Sequence, residues 1–328
     1  MPLSKLKIET RRIRQAWIAQ AAIAFFLPAA AQAGYLSTDI SSPADPAFTQ
    51  LLGINNAGTI AGYFGSGAAG HPNKGFQLTL PNTFTSENFP ASAQTQVVGI
   101  NNNGGTVGFY VDSNGITHGF LNLNGTFTNS DAPGSAFNQL LGVNNGGLAA
   151  GYSSTDPAGQ VNQLAYVRQT NGAFGYLTLP SNVNSQATGI NNANLVSGFY
   201  FTTATTANGF LYNLASNART DLQFPGATST QALGLNNAGQ AVGSYLDTNG
   251  GMHGFIDVNG NFQSIDDPNG VGTTTVNGIN DNGQIVGFYV NGAGNTIEFV
   301  GSSVPEPGSF VLAGLGALAF GLYRRRQH

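Results

Sequence analysis

The chain has 328 residues, with Lys+Arg 11 against Asp+Glu 15, 46 Gly, a single Trp, no Cys and only 8% charged residues. Without cysteine it has no disulfide framework, no thiolate nucleophile and no Cys-based zinc or iron–sulfur site. Eight of the basic residues lie before residue 15 or at 324–326, so residues 34–303 keep only Lys74, Arg168 and Arg219 against thirteen Asp/Glu, a net charge of −10. Such a body lacks the clustered Lys/Arg that neutralise phosphates, which argues against nucleic-acid binding and against adhesion to anionic lipid.

In chain order, the first element is a basic segment (Lys5, Lys7, Arg11, Arg12, Arg14), an apolar run over 16–31 and the small-residue signature Ala31-Gln32-Ala33. This order reads as a secretory signal peptide, with Ala31 and Ala33 marking a cut after Ala33. The next piece, Tyr35-Leu36-Ser37-Thr38-Asp39-Ile40, precedes Pro43 and has the pattern of a lone strand.

The tetrapeptide Gly-(Ile/Val/Leu)-Asn-(Asn/Asp) then occurs six times, its glycines at Gly53, Gly99, Gly142, Gly189, Gly234 and Gly278, with spacings of 46, 43, 47, 45 and 44 residues. A fixed period of this size signals a repeat architecture whose copies bury their apolar faces against one another. The second copy shows the pattern: Val97-Val98-Gly99-Ile100, Thr106-Val107-Gly108-Phe109-Tyr110, His118-Gly119-Phe120-Leu121 and Gly125-Thr126-Phe127-Thr128, ending at Asp131-Ala132-Pro133. Four short strands per ~45 residues are what a propeller blade requires.

The first two strands of a copy are joined by Asn-Asn-x-Gly, read as a hairpin turn whose Asn and Gly tolerate positive φ. The loops Asp112-Ser113-Asn114-Gly115 and Asp247-Thr248-Asn249-Gly250 resemble fragments of a calcium loop, yet they lack its remaining ligands and read as turns. A second glycine follows the first by nine residues (Gly62, Gly108, Gly151, Gly198, Gly243, Gly287). Glycine inside a strand marks a bulge or close approach, and the expectation is that aromatics of one blade cover glycines of its neighbour.

The ends differ from the middle. The N-terminal piece is a fourth strand without its first three, and the last copy runs through Ile297-Glu298-Phe299 without a fourth. Pairing the two predicts an all-β, six-bladed β-propeller over 34–303, flanked by an N-terminal signal helix and a C-terminal membrane helix. A linear β-solenoid is the competing architecture.

After Ser303 come Val304, Pro305, Glu306 and Pro307, an apolar stretch over 310–323, and Arg324, Arg325 and Arg326. The stretch is shorter than the ~20 residues of an ordinary span, and its basic end belongs in the cytoplasm. This tail resembles the PEP-CTERM sorting signal of Gram-negative bacteria, in which a Pro-Glu-Pro motif precedes a short membrane helix and an arginine cluster. The resemblance implies export, recognition of the tail by an exosortase, membrane attachment only through that tail, and a final location at the surface or outside a cell that makes exopolysaccharide and biofilm. The repeats resemble the HAF extracellular repeat, G-I-N-x-x-G-x-I-V-G followed by H-(A/G)-F. His118 and His253 keep its histidine, while Lys74, Leu164, Asn208 and Ile297 replace it.

Catalytic signals are weak. His118 and His253 hold equivalent repeat positions, which suits scaffold better than chemistry, and His71 stands apart. Asp131, Asp266, Asp267 and Glu298 are the carboxylates to inspect for paired acid and base work. Asp131 and Asp266 share one slot, with Asp39 expected as a third, so cap or turn chemistry explains them more simply. No nucleophile elbow, phosphate loop or dinucleotide fingerprint is present, and no catalytic, cofactor-binding or metal residue is assigned.

Three readings remain open at this point: a non-enzymatic surface or matrix propeller that binds a partner such as polysaccharide, a purely structural module, and a glycan-cleaving enzyme. Tyr63, Tyr110, Tyr200, Tyr245 and Tyr289 would serve as sugar-stacking platforms if exposed.

Overall fold

The computed structural model describes residues 35–45, 48–180 and 183–303. Ala31 and Ala33, the motif Val304, Pro305, Glu306 and Pro307, Arg324, Arg325 and Arg326, and the two expected terminal helices lie outside the described residues.

The described residues begin with β1 (Tyr35–Ile40). Blade 1 is β2 (Thr49–Ile54), β3 (Thr59–Phe64), β4 (Lys74–Thr79) and β5 (Thr83–Ser86). Blade 2 is β6 (Gln94–Ile100), β7 (Thr106–Val111), β8 (Thr117–Leu123) and β9 (Thr126–Asn129). Blade 3 is β10 (Phe137–Val143), β11 (Ala149–Ser154), β12 (Leu164–Arg168) and β13 (Phe174–Tyr176). Blade 4 is β14 (Ser185–Ile190), β15 (Leu195–Phe201), β16 (Ala207–Asn213) and β17 (Ala218–Leu222). Blade 5 is β18 (Ser229–Leu235), β19 (Ala241–Leu246), β20 (Met252–Val258) and β21 (Asn261–Ile265). Blade 6 is β22 (Thr275–Ile279), β23 (Gln284–Val290) and β24 (Thr296–Ser303), completed on its outer edge by β1.

The surplus strand therefore fills the deficit. β1 runs antiparallel to β24, with Tyr35 opposite Ser303 and Ile40 opposite Glu298. Innermost strands touch in sequence around the ring, and β22 packs back against β2, so the array is closed rather than a linear solenoid. The fold is a six-bladed β-propeller.

Every innermost strand runs toward its Asn-Asn turn, and that mouth of the ring is called the Asn face. The opposite mouth carries the connections between blades and the loops between second and third strands. It is called the Gln face, because Gln50, Gln96, Gln139, Gln186 and Gln231 stand near the start of five innermost strands.

Each innermost strand also carries a β-bulge just before the motif glycine, as between Val97 and Gly99. The bulge brings the six glycines to the waist of the ring. A Cβ on Gly142 would stand 2.7 Å from Gly189 Cα, and one on Gly234 would stand 2.9 Å from Gly278 Cα, so only glycine allows the inner strands this approach.

The second repeated glycine acts within its own blade, which corrects the expectation of a neighbouring aromatic. At Gly108 a Cβ would run into the carbonyl of Gln96 on β6 and lie 2.9 Å from the Phe120 ring on β8. The aromatics over this row, Phe76, Phe120, Tyr166, Phe210, Phe255 and Phe299, are all at most 2% exposed. They come from the third strand of the same blade because Gly108 stands directly opposite Phe120 in the β7–β8 register, as the others do in theirs. Fully burying such a ring contributes about 1.5–3 kcal/mol.

The paired asparagines have a second role beyond turn formation. Positive φ in each turn falls on the residue after x (Gly58, Gly104, Gly147, Asn194, Gly239, Gly283), not on the Asn pair. The first Asn instead caps its own turn and reaches sideways. Asn55 Oδ1 accepts from Ala57 and Thr59 N–H, while its Nδ2 donates to Asn101 O at 3.2 Å. The same sideways bond runs from Asn101 to Asn144, Asn191, Asn236, Asn280 and back to Asn55. The second Asn, or Asp281, forms a parallel circuit in which each Oδ1 accepts the backbone N–H of its neighbour at 2.7–2.9 Å. Two hydrogen-bonded rings thus lock all six blades at one mouth.

Candidate functional site

The central channel widens from the Asn face to the Gln face. At the Asn mouth the ring of Asn56, Asn102, Asn145, Asn192, Asn237 and Asp281 encloses about 60 Å³. Asp281 is the one carboxylate there. Burial opposes its ionisation, but donors from Asn56 and Asn237 outweigh that and hold it below the usual carboxylate range. Above the glycine waist the channel opens to about 370 Å³, lined by bulge residues such as Leu52, Val98 and Leu141 and by Gln139, Gln186 and Gln231.

The Gln face carries two matching side-chain clusters on blades 2 and 5, opposite one another in the ring. His118 Nδ1 donates to Asp131 Oδ2 at 2.7 Å, and its Nε2 lies 3.7 Å from Asp112 Oδ2. His253 repeats this with Asp266 at 2.9 Å and Asp247 at 3.5 Å. Asp112 is held below its ordinary value first by the Ile116 N–H and Asp247 by the Gly251 N–H, with their histidines adding to the effect. These two aspartates head the D-x-N-G loops, which are Asx turns as expected.

In each cluster a tyrosine is sandwiched. Tyr110 stacks on Phe89 at 3.8 Å and on His118 at 5.0 Å, and Tyr245 on Phe224 at 3.7 Å and on His253 at 5.0 Å. Both ring faces are covered, so neither tyrosine offers a platform to a sugar. Tyr200 and Tyr289 are buried, with Arg219 lying 5.1 Å over the Tyr200 ring. Tyr63 is mostly enclosed, and its hydroxyl is pushed up to about 12 by burial and then by Glu298. The five tyrosines singled out in the sequence serve packing.

The four inspected carboxylates do not converge. Asp131 and Asp266 belong to opposite blades. Asp267 is buried and accepts Ser37 Oγ at 2.6 Å and Asn269 N–H, tying β1 to blade 5. Glu298 is 2% exposed at the seam of blades 6 and 1, where it accepts Gln50 Nε2 at 3.0 Å and the Leu51 N–H at 3.1 Å. Burial pushes its carboxyl up to about 9, so it is neutral at pH 7. Asp39 is not a third member of the Asp131 slot. It stands opposite Phe299, as Ser264 stands opposite Phe255, and accepts from the Tyr289 hydroxyl at 3.3 Å. Asp131 and Asp266 lie two residues before Pro133 and Pro268, whereas Asp39 lies four before Pro43, so the equivalent slot falls on Ser41.

A pocket that sequence reasoning missed lies on the Gln face between blades 3 and 4. It encloses about 410 Å³ and is lined by Leu164, Tyr176, Leu177, Leu179, Val183 and Asn184. Tyr176 is 48% exposed, Leu164 50% and Val161 53%. Blade 3 has the shortest outer strand, β13, of three residues. Its truncation leaves this seam uncovered. The only sequence signal was the irregular third copy, in which Leu164 replaces the histidine and Leu177-Thr178-Leu179 precedes Pro180.

Comparison with known proteins adds to the geometry at one end of the chain. Residues 303–327 match the PEP-CTERM protein-sorting motif. The chain carries an exosortase sorting signal. That signal implies an exported protein whose precursor is membrane-anchored in a Gram-negative bacterium. No curated protein matches the chain. Among solved structures, TolB from Acinetobacter baumannii superposes with a TM-score of 0.50 at 12% identity, over 76% of this chain and 64% of TolB, so the likeness spans less than two thirds of TolB. AofleA from Arthrobotrys oligospora, solved as a mutant, gives 0.49 at 13% identity over 83% and 91%. The six-bladed lectin from Aleuria aurantia gives 0.47 at 13% identity over 79% and 97%. At these identities the likeness is one of fold alone.

Proposed function

We propose that this is a non-enzymatic binding propeller of the cell surface or extracellular matrix, which takes an uncharged glycan at the Gln-face pocket between blades 3 and 4. The observation that carries the reading is Tyr176, about half exposed beside a 410 Å³ cavity, while the five tyrosines singled out in the sequence are covered. An exposed aromatic ring beside amide side chains such as Asn184 is the arrangement that recognises a sugar ring, by stacking on its C–H face and bonding its hydroxyls.

Charge narrows the ligand. The exported body has a net charge of −10, which disfavours uronic-acid or sulfated polymers and favours neutral ones. Export and exosortase sorting favour a polymer outside the cell, such as exopolysaccharide, as the ligand.

The 34–303 fragment contains the whole ring and its core. On an array of neutral and acidic bacterial glycans it is expected to retain neutral ones, and Tyr176→Ala is expected to lose them without a change in melting temperature. Retention unaffected by Tyr176→Ala moves the site elsewhere. Release of new reducing ends from a retained glycan overturns the non-enzymatic reading.

A further inference from the structure

We infer that, in the tail-anchored precursor, the ring sits with its Asn face toward the membrane and its Gln face, with the Tyr176 pocket, away from it. The inference rests on the exported, tail-anchored reading and goes beyond it by assigning each face a side.

The strand directions carry the argument. β24 runs from the Gln face to the Asn face, and its last residue, Ser303, is directly followed by the sorting motif at Val304. β1 enters from the same corner, since Tyr35 is paired with Ser303. Only Gly34 separates Tyr35 from the expected signal-peptide cut after Ala33. Both membrane-directed segments are thus attached to one corner of blade 6, on the Asn face.

The tether is too short to reverse this. Residues 304–309 precede the apolar stretch, and six residues span at most about 20 Å when fully extended. β24 alone, with its eight residues, crosses about 26 Å of ring at ~3.3 Å per residue. A membrane segment starting at residue 310 therefore cannot lie against the Gln face while β24 stays paired on both edges with β23 and β1.

Charge points the same way. Asp45, Asp112, Asp131, Asp156, Asp247 and Asp266 sit in Gln-face loops, with Lys74 the one Lys/Arg nearby. At the Asn face Asp281 is accompanied by Arg168, which stands at the Asn-face end of β12, while Arg219 is paired with Asp221 at 2.8 Å and weighs on neither side. An anionic leaflet repels the first surface and tolerates the second, within the ~8–10 Å over which such fields act. The tail holds the ring close, and the charge keeps the acidic face outward.

The cysteine-free chain accepts single labels. Ala57→Cys lies in the Asn-face turn of blade 1 and Ala293→Cys in the Gln-face turn of blade 6, and both side chains are exposed. Each variant, carrying a small environment-insensitive fluorophore, is reconstituted as the chain through residue 328 into phosphatidylethanolamine and phosphatidylglycerol vesicles containing a headgroup nitroxide lipid. The label at 57 is expected to be quenched several-fold more than that at 293, and removal of 304–328 is expected to abolish quenching at both. Ala238→Cys and Thr248→Cys repeat the pair on blade 5 if the first pair perturbs folding. Equal quenching, or stronger quenching at 293, overturns the assignment of faces while leaving tail anchoring intact. Failure of the full chain to float with the vesicles overturns the anchored reading itself, and the inference with it.

Discussion

At the Asn face the same two contacts recur in all six blades, whereas at the Gln face the residue in the first or second position of the third strand changes from Lys74 to His118, Leu164, Asn208, His253 and Ile297. The first surface is a closed circuit, in which an altered asparagine leaves its neighbour's carbonyl, its own turn amides, or both without partners. The second is a set of separate loops, whose largest repeated cluster serves only blades 2 and 5. A ring therefore places its invariant chemistry where blades meet and leaves the other mouth to vary. Blade 3, whose copy is irregular, borders an open pocket of about 410 Å³, and a smaller one of about 220 Å³ lies at the seam of blades 6 and 1.

Four perturbations test this contrast, from the largest expected effect to the smallest. Gly142→Val places a side chain 2.7 Å from Gly189 Cα, against backbone that cannot move aside. It is expected to lower the melting temperature by about 5 °C or more, or to prevent folding, which calorimetry reads directly. A small effect would mean that the waist is less tight than its glycines imply. Asn144→Ala removes the bonds to Asn191 O and Asn194 Oδ1 and the cap on Leu148 N–H. A cost of about 1–3 kcal/mol is expected in urea unfolding.

Glu298 tests the seam rather than the ring. Its carboxyl is raised from 4.5 to about 9 in the folded chain, so the folded state holds the proton more tightly than the unfolded one. Its contribution to stability is fully present below pH 4.5 and is lost as pH rises toward 9. Glu298→Gln, with Gln50 turning its amide to match, is expected to melt like the parent near pH 4 and above it at pH 8. Parallel melting curves across that range would refute a neutral, buried acid. The double change His118→Ala and His253→Ala is expected to shift stability least, by about 1 kcal/mol or less, since partly exposed His–Asp contacts contribute little. A collapse of the fold in that variant would erase the distinction between the two faces.

Much of the architecture was legible in the residues alone. The six Gly-(Ile/Val/Leu)-Asn-(Asn/Asp) copies announced the blades, and the unmatched strand at Tyr35 with the incomplete copy at Phe299 announced closure. The candidate site was much less legible. Tyr110 and Tyr245 read as platforms, yet their partners Phe89 and Phe224 come from the connection before the blade, and a stack built across such a joint leaves no periodic trace. Tyr176 drew no notice because its exposure follows from what β13 fails to cover.

The sequence by itself determined the number of blades, the turn chemistry, the C-terminal sorting signal, and the identity of the strand that closes the ring. Each of these depends on residues near in the chain or on a count of repeats. Only the tertiary structure decided that the repeated asparagines bond sideways from blade to blade, that the second glycine lies under an aromatic of its own blade, and that Glu298 is buried at the seam. Those facts depend on register, and on the bulge that turns each inner strand. Lateral neighbours some 45 residues apart meet only after every blade has folded against the next.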